Sequence, residues 1–222
     1  MKKQALEKQR SYGGVRASQR EEGRRLKLLD AGLGAFGTVG YARSSIKGIC
    51  GLAGLTERYF YESFGSKEEL LLAVYGGVVE DLLARARERL SQPFVSPSDL
   101  LTGVLGIYFR AMREDPRKAR LLYFEVLGVS PAVDRAYQDA TRLLGGIVTE
   151  AVLAAFPVLD RRFFSESIVP VGLTGAVTLM AINWILEGFR TPLEDILSQV
   201  AFLAGLVESF AGKSSPPHEA RP

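Results

Sequence analysis

The 222 residues contain one cysteine, Cys50, and one histidine, His218. That excludes a disulfide framework and any Cys/His zinc site built within one chain. The histidine stands in a Pro-rich end, and there is no Gly-rich phosphate loop, nucleophile elbow or paired set of metal ligands. An enzyme would therefore have to rest on carboxylates or lysines alone, and no pair of these is singled out. No cofactor and no metal are expected. Strand-like alternation bounded by hairpin signals is also missing, so the fold class is all-α. Lys2 and Lys3 are followed by a polar run from Gln4 to Arg25 rather than an apolar segment, which does not read as a signal peptide. A cytoplasmic protein is expected, and one of this length buries a proper core without covalent staples.

Charge is unevenly placed. Residues 1–70 hold 13 Lys/Arg against 8 Asp/Glu, and the remainder holds 15 against 17. A basic end suits a polyanion, and it equally suits a solvated basic tail. Ser167–Leu186 carries no charge over a length that could span a bilayer, but it contains Pro170, Gly172, Thr174, Gly175, Thr178 and Asn183. The expected structure there is a helix buried on most sides, as at a subunit interface, with no membrane partner. The rival reading is an amphipathic protein acting at a membrane or as an adaptor.

Residues 1–19 lack hydrophobic periodicity, hold Gly13 and Gly14 among basic residues, and are expected to form a flexible basic arm. Leu26, Leu29, Leu33 and Phe36 then repeat at helical spacing, closed by Gly37 and Gly40. Ile46, Ile49, Cys50 and Ala53 make a two-turn helix, with Ser44 and Ser45 as cap candidates and Gly54 as its stop. Thr56 starts a second short helix whose inward residues are Phe60 and Phe64. Gly65 ends it, and Ser66–Glu69 is a capping box ahead of a long helix carrying Leu71, Val74, Val78 and Leu82. Further helices are expected over 100–113, 117–127, 132–155, 161–190 and 193–211, separated by Xaa-Pro pairs. Residues 214–222 read as a disordered tail.

Two short helices joined by a tight turn suit a helix-turn-helix, whose helices cross closely and need a small residue on the first and a Gly in the turn four positions later. Cys50 and Gly54 occupy those places, which makes Cys50 a small buried hydrophobe, with redox sensing as the lesser alternative. Tyr59 and Tyr61 remain on the outer face of the second helix. They suit a nucleic-acid groove, where a tyrosine donates to phosphate or packs on sugar and base, or they lean on neighbouring helices.

The segment GYARSSIKGICGLAGLTERYFYESFGSKEELL resembles the helix-turn-helix of TetR-family transcriptional regulators, with Tyr61, Phe64, Ser66, Lys67, Glu68 and Leu70 in the family's pattern. The resemblance covers about residues 24–72. It implies a three-helix DNA-binding domain over 20–69 and a helical ligand-sensing and dimerisation bundle over 70–213. It also implies a homodimer on a palindromic operator in double-stranded DNA, repression as the default, and release by a small-molecule effector. Carried over position by position, it puts Ser44, Ser45 and Lys47 beside a phosphate at a helix N-terminus. Thr56 and Tyr61 would contact phosphates or base edges, and Lys67 the DNA backbone. Arg58 and Tyr59 stand where relatives commonly carry small residues. Arg58 is thereby the candidate for reading a guanine edge, unless it pairs with Glu62 one turn along its own helix.

For the dimer, the resemblance points to the last two helices. Gly172 and Ala176, Thr174 and Thr178, then Ala201, Ala204 and Gly205 are small residues at helical spacing there, suited to a close four-helix crossing or to packing within the chain. For the effector, expected to be apolar or amphipathic, Tyr108, Phe109, Met112, Tyr123, Phe124 and Trp184 are enough to line a pocket. Arg120, Arg142, Asn183 and Glu187 are possible polar anchors.

Overall fold

The computed structural model describes the backbone of residues 2–213 apart from 158, 160 and 167, and the side chains within that range apart from 2–17, 163, 166 and 208–213. His218 and the expected tail lie outside the described residues. The elements are α1 (Lys2–Thr38), α2 (Ile46–Ala53), α3 (Glu57–Ser63), α4 (Lys67–Ser91), α5 (Pro97–Glu114), α6 (Pro116–Arg120) continued by one π-helical turn (Leu121–Glu125), α7 (Pro131–Ala155), α8 (Arg161–Glu166), α9 (Val169–Leu186) and α10 (Leu193–Lys213). No strand occurs among the described residues.

Serine caps set where four of these helices begin. Ser45, Ser66, Ser96 and Ser130 each accept a hydrogen bond from the backbone N–H three residues on, an arrangement worth about 1 kcal/mol apiece. Of the prolines expected to separate helices, Pro93, Pro157 and Pro192 do stand between them, whereas Pro116 and Pro131 start helices. Pro97, Pro116 and Pro131 occupy first-turn positions, where the missing N–H has no intrahelical partner to lose. By the same logic Pro170 begins α9, so the helix expected over 161–190 is two. The N-terminal arm is also corrected, since α1 continues through it. Gly13 and Gly14 cost about 1 kcal/mol each in a helix, but good helix formers from Gln4 to Arg10 precede them.

The buried stripe of α1 is Leu28, Ala31, Ala35 and Phe36, while Leu29 and Leu33 are half-buried and Leu26 is exposed. This differs from the expected stripe because small residues face the partners. A Cβ on Gly32 would sit 3.1 Å from both Leu70 Cδ2 and Val74 Cγ2 of α4. One on Gly37 would lie 2.7 Å from the Arg117 Cα of α6. Here α1 and α6 touch backbone to backbone, and only glycine fits.

Around this junction, α2 and α3 pack on α1, and α4 contacts α1, α5 and α7. α5 packs along α10, and α7 along α9. No polar or charged residue is buried among the described residues. The core of the larger bundle centres on Trp184, packed on Phe109 and edge-on to Phe189, with its indole N–H donating to the Thr191 carbonyl at 2.8 Å. Gly188 and Phe189 both adopt left-handed backbone (φ 69° and 58°) to turn the chain from α9 into α10. The Trp184 contact holds Phe189 in a conformation that non-glycine residues rarely take.

The charge-free helix α9 is long and apolar enough to cross a membrane by length and composition. Val177, Ala181 and Trp184 bury one side of it, and Val171, Leu179 and Leu186 leave the other exposed.

Gly37→Ala should lower stability by about 1–3 kcal/mol, because overpacking at the α6 backbone outweighs the better helix propensity of alanine. Gly77→Ala, on α4 with nothing within 4 Å of the added carbon, should raise it by about 0.5–1 kcal/mol. Urea unfolding at one protein concentration checks both signs.

Candidate nucleic-acid interface and effector pocket

The turn between α2 and α3 depends on Gly54, which takes left-handed backbone (φ 64°) and caps α2. Cys50 faces α3 and is 3% exposed. Burial pushes its thiol pKa up, and the charge of Glu57 adds to that, so Cys50 is a packing residue and not a reactive thiol. On α3, Phe60 and Phe64 are buried. Arg25 fixes the end of the helix by donating to the Ser63 carbonyl (3.0 Å) while stacking over the Phe64 ring.

The outer surface of this unit carries Lys47, Thr56, Arg58 and Tyr61. Thr56 is the N-cap of α3 by backbone conformation but spends no side-chain hydrogen bond on the cap, which leaves its hydroxyl available. Tyr61 is 58% exposed. Arg58 Nε lies 3.1 Å from Glu62 Oε1, the intrahelical pairing that sequence leaves open. With 84% of the Arg58 side chain exposed, such a pair is worth only about 0.3–0.5 kcal/mol, so the guanidinium is held weakly. Tyr59 leans inward, with the Arg24 guanidinium 4.6 Å above its ring.

Behind this surface, the α1–α2 turn is clamped from two sides. Lys67 Nζ donates to the carbonyls of Tyr41 (2.8 Å) and Ser44 (2.9 Å) and lies over the Tyr41 ring. From the other side, Glu125 Oε2 accepts from the Tyr41 N–H at 2.7 Å. Its second oxygen accepts from Arg120 Nε (2.8 Å), and Arg120 Nη1 reaches the Thr38 carbonyl (3.0 Å). Gly40 (φ 99°) allows the carboxylate this close, for an added Cβ would meet Glu125 Oε2 at 3.0 Å.

The π-helical turn that carries Glu125 also supplies Leu122 and Tyr123 to a cavity between α4, α5, α7 and α9. Its empty volume, open mouth and adjoining solvent included, is about 770 Å³. Tyr75, Tyr108, Tyr123 and Tyr137 border it with Thr141, Thr174 and Thr178, and aliphatic side chains complete the walls. Among the described residues no charged one lines it. Burial, more than the neighbouring tyrosines, pushes the Tyr75 and Tyr123 hydroxyls well above the ordinary tyrosine pKa.

Residues 28–74, which contain this reading head and the start of α4, match the bacterial regulatory proteins of the tetR family. That match covers the helix-turn-helix and the first turns of α4, and it assigns this segment to the tetR family of bacterial regulatory proteins. No curated protein matches the chain in sequence. Among solved structures it is similar to the transcriptional regulator FadR of Bacillus subtilis in complex with stearoyl-CoA, at TM-score 0.70 and 16% identity over 81% of this chain and 96% of that one. It is also similar to the fatty acid degradation regulator FadR of Bacillus halodurans (0.69, 16%, 80% and 96%) and to a TetR-like regulator from Rhodococcus sp. RHA1 (0.67, 19%, 85% and 96%). These likenesses carry the all-α TetR fold across most of the chain.

Several expected site residues have other work in this chain. Ser45 caps α2, whereas Ser44 bonds back to the Gly40 carbonyl. Lys67 braces the turn through the Tyr41 and Ser44 carbonyls. Tyr59 is engaged by Arg24. Of the pocket candidates only Tyr108 and Tyr123 line the cavity. Phe109, Met112 and Trp184 are buried core, Phe124 and Asn183 are exposed, and Arg142 pairs on the surface with Asp139. Arg120 belongs to the Glu125 clamp. Of the small residues on the last helices, Gly172 is exposed and Ala176, Ala201 and Gly205 are half-buried, but Ala204 faces the core at 2% exposure. Sequence reasoning missed Tyr75 and Tyr137, and Thr174 and Thr178, expected at a close helix crossing between subunits, line the cavity instead. Tyr75 lies beside Val74 on the expected α4 stripe, but no local spacing ties it to the others.

Glu125→Ala should loosen the Gly40–Tyr41 turn and weaken DNA binding by about tenfold on all sequences alike, since charge-assisted bonds of this kind contribute about 1.5–3 kcal/mol. Glu125→Gln, which keeps an acceptor for Tyr41, should lose less. Binding isotherms of the two variants on several duplexes decide this, and equal losses would assign the effect to charge alone. Cys50 should react with a disulfide reagent at about pH 8 far more slowly in the folded protein than in urea.

Proposed function

We propose that the chain is a homodimeric repressor that binds a palindromic operator through two copies of residues 20–69 and is released when an apolar or amphipathic small molecule fills the cavity of residues 70–213. The observation that carries this reading is the π-helical turn 121–125. Leu122 and Tyr123 form the cavity wall and Glu125 holds the turn ahead of α2, all within five residues. A ligand that displaces Tyr123 therefore acts on the reading head through one rigid turn. FadR of Bacillus subtilis, similar in fold, is described in complex with stearoyl-CoA, which supports an effector with an apolar body.

A second copy fits the outer face of α9 and α10. Val171, Leu179, Leu186, Phe202 and Leu206 are exposed there beside Gly172 and Gly175, an apolar surface of the kind that monomers rarely leave open. Lys47, Thr56, Arg58 and Tyr61 are the residues proposed to meet DNA, with Ser45 presenting the N-terminus of α2 to a phosphate. Lys67, Ser44 and Tyr59 shape that surface from behind.

Selection of bound sequences from random duplex DNA should return a palindrome, and light scattering should return a dimer. A monomer in solution would overturn the interface. On the selected site, Lys47→Ala should weaken all sequences similarly and reduce the salt dependence by a slope of about 1. Arg58→Ala should cost about 1–3 kcal/mol chiefly on the preferred site. An equal loss on every single-base variant would make Arg58 a backbone contact.

A further inference from the structure

Within the cavity one polar atom is unaccounted for by the fold. The Tyr123 hydroxyl is buried and lies outside full hydrogen-bond geometry to any group of the described protein, with the Thr178 hydroxyl near enough to interact with it weakly. Buried polar groups are ordinarily paired, and an orphan is costly. Tyr123 lines the cavity, as do Tyr75, Tyr108 and Tyr137, and Tyr108 packs edge-on against its ring at 6.2 Å. Four tyrosines converge on a space that no cation among the described residues lines.

On the reading of this cavity as the effector site, we infer that it selects an uncharged molecule with a hydrocarbon chain and one carbonyl oxygen, such as an ester or ketone, which accepts a hydrogen bond from the Tyr123 hydroxyl. A carboxylate is rejected there because desolvation would leave its charge without a partner. The hydroxyl is suited to donate. Its burial, and the neighbouring Tyr137 and Tyr75, keep it protonated well beyond neutral pH. Beside it lies a second, smaller and wholly apolar hollow that shares Leu105, Val148 and Val177 with the first and reaches Leu101, Leu203 and Val207. The hydrocarbon chain leans on these walls, which offer no hydrogen bond.

The test compares methyl decanoate with decanoate at about pH 8, by calorimetry on the full chain and on Tyr123→Phe. The wild-type protein should bind the ester at least about tenfold more tightly than the acid. Tyr123→Phe should lower ester affinity about tenfold and leave the weak acid affinity unchanged, because the loss strands a buried carbonyl. The variant should fold, with a Tm equal to or above that of the wild type, since it removes an unpaired polar atom. Acid binding as tight as ester binding would overturn the inference, as would an ester affinity untouched by Tyr123→Phe or no ester binding at all. Operator binding of the same samples separates this from the function proposed above. If the ester binds through Tyr123 but leaves operator affinity unmoved, the ligand class stands and release by this cavity falls. If the operator is bound and another compound releases it, the reverse holds.

Discussion

The contact between α1 and the α6 region is the constraint on which this molecule depends. At Gly37 two helix backbones meet with no room for a methyl group. Just beyond, Glu125 ties Arg120 to the Tyr41 backbone. The reading head has few other attachments to the bundle: α2 and α3 rest on α1, and α1 reaches the rest through α4 and the α6 region. Two rigid lines of support therefore set the position of α3. One is the apolar packing of Gly32 against Leu70 and Val74, which is non-directional and tolerates small slides. The other is the clamp at Glu125, built from short charge-assisted hydrogen bonds that are either made or broken. A two-state contact beside a greasy bearing is the arrangement from which a switch can be built.

Much of this was legible in residue order. Cys50, Gly54, Phe60 and Phe64 carry their roles in local spacing, because a short helix pair has few ways to bury two aromatic rings. Ser66 and Glu69 announce the start of α4 for the same reason, since helix ends expose backbone groups that side chains nearby must satisfy. Boundaries at prolines were misplaced by one to three residues, since proline permits a first turn as readily as it forbids an interior one. What sequence could not show was long-range partnership. Lys67 bonds Tyr41 and Ser44 more than twenty residues away, and Glu125 meets Tyr41 eighty-four residues away. Each had an equally good local reading, Lys67 as a phosphate ligand and Arg120 as a pocket anchor. The cavity failed for another reason: aromatic side chains at helical spacing serve core and pocket alike, and only packing tells Phe109 from Tyr108.

Helices α9 and α10 divide their surfaces between two apolar demands. Val177 and Ala204 face the cavity compartments, while Leu179, Leu186, Phe202 and Leu206 face outward. That double burden explains why α9 carries no charge at any position, a composition that by itself resembles a membrane span. It also places the second compartment on the inner side of the same two helices whose outer side is exposed.

Trp184 is the sole tryptophan, and it sits in the aromatic core of the larger bundle with its indole nitrogen bonded to Thr191. The reading head contains tyrosine but no tryptophan. Excited at the red edge of the indole band, the protein thus emits from one bundle only, while far-ultraviolet dichroism sums over every helix. If α1–α3 melt before the rest, dichroism will move while emission stays blue and constant. The molecule carries its own optical means of telling a loosened head from an unfolded body.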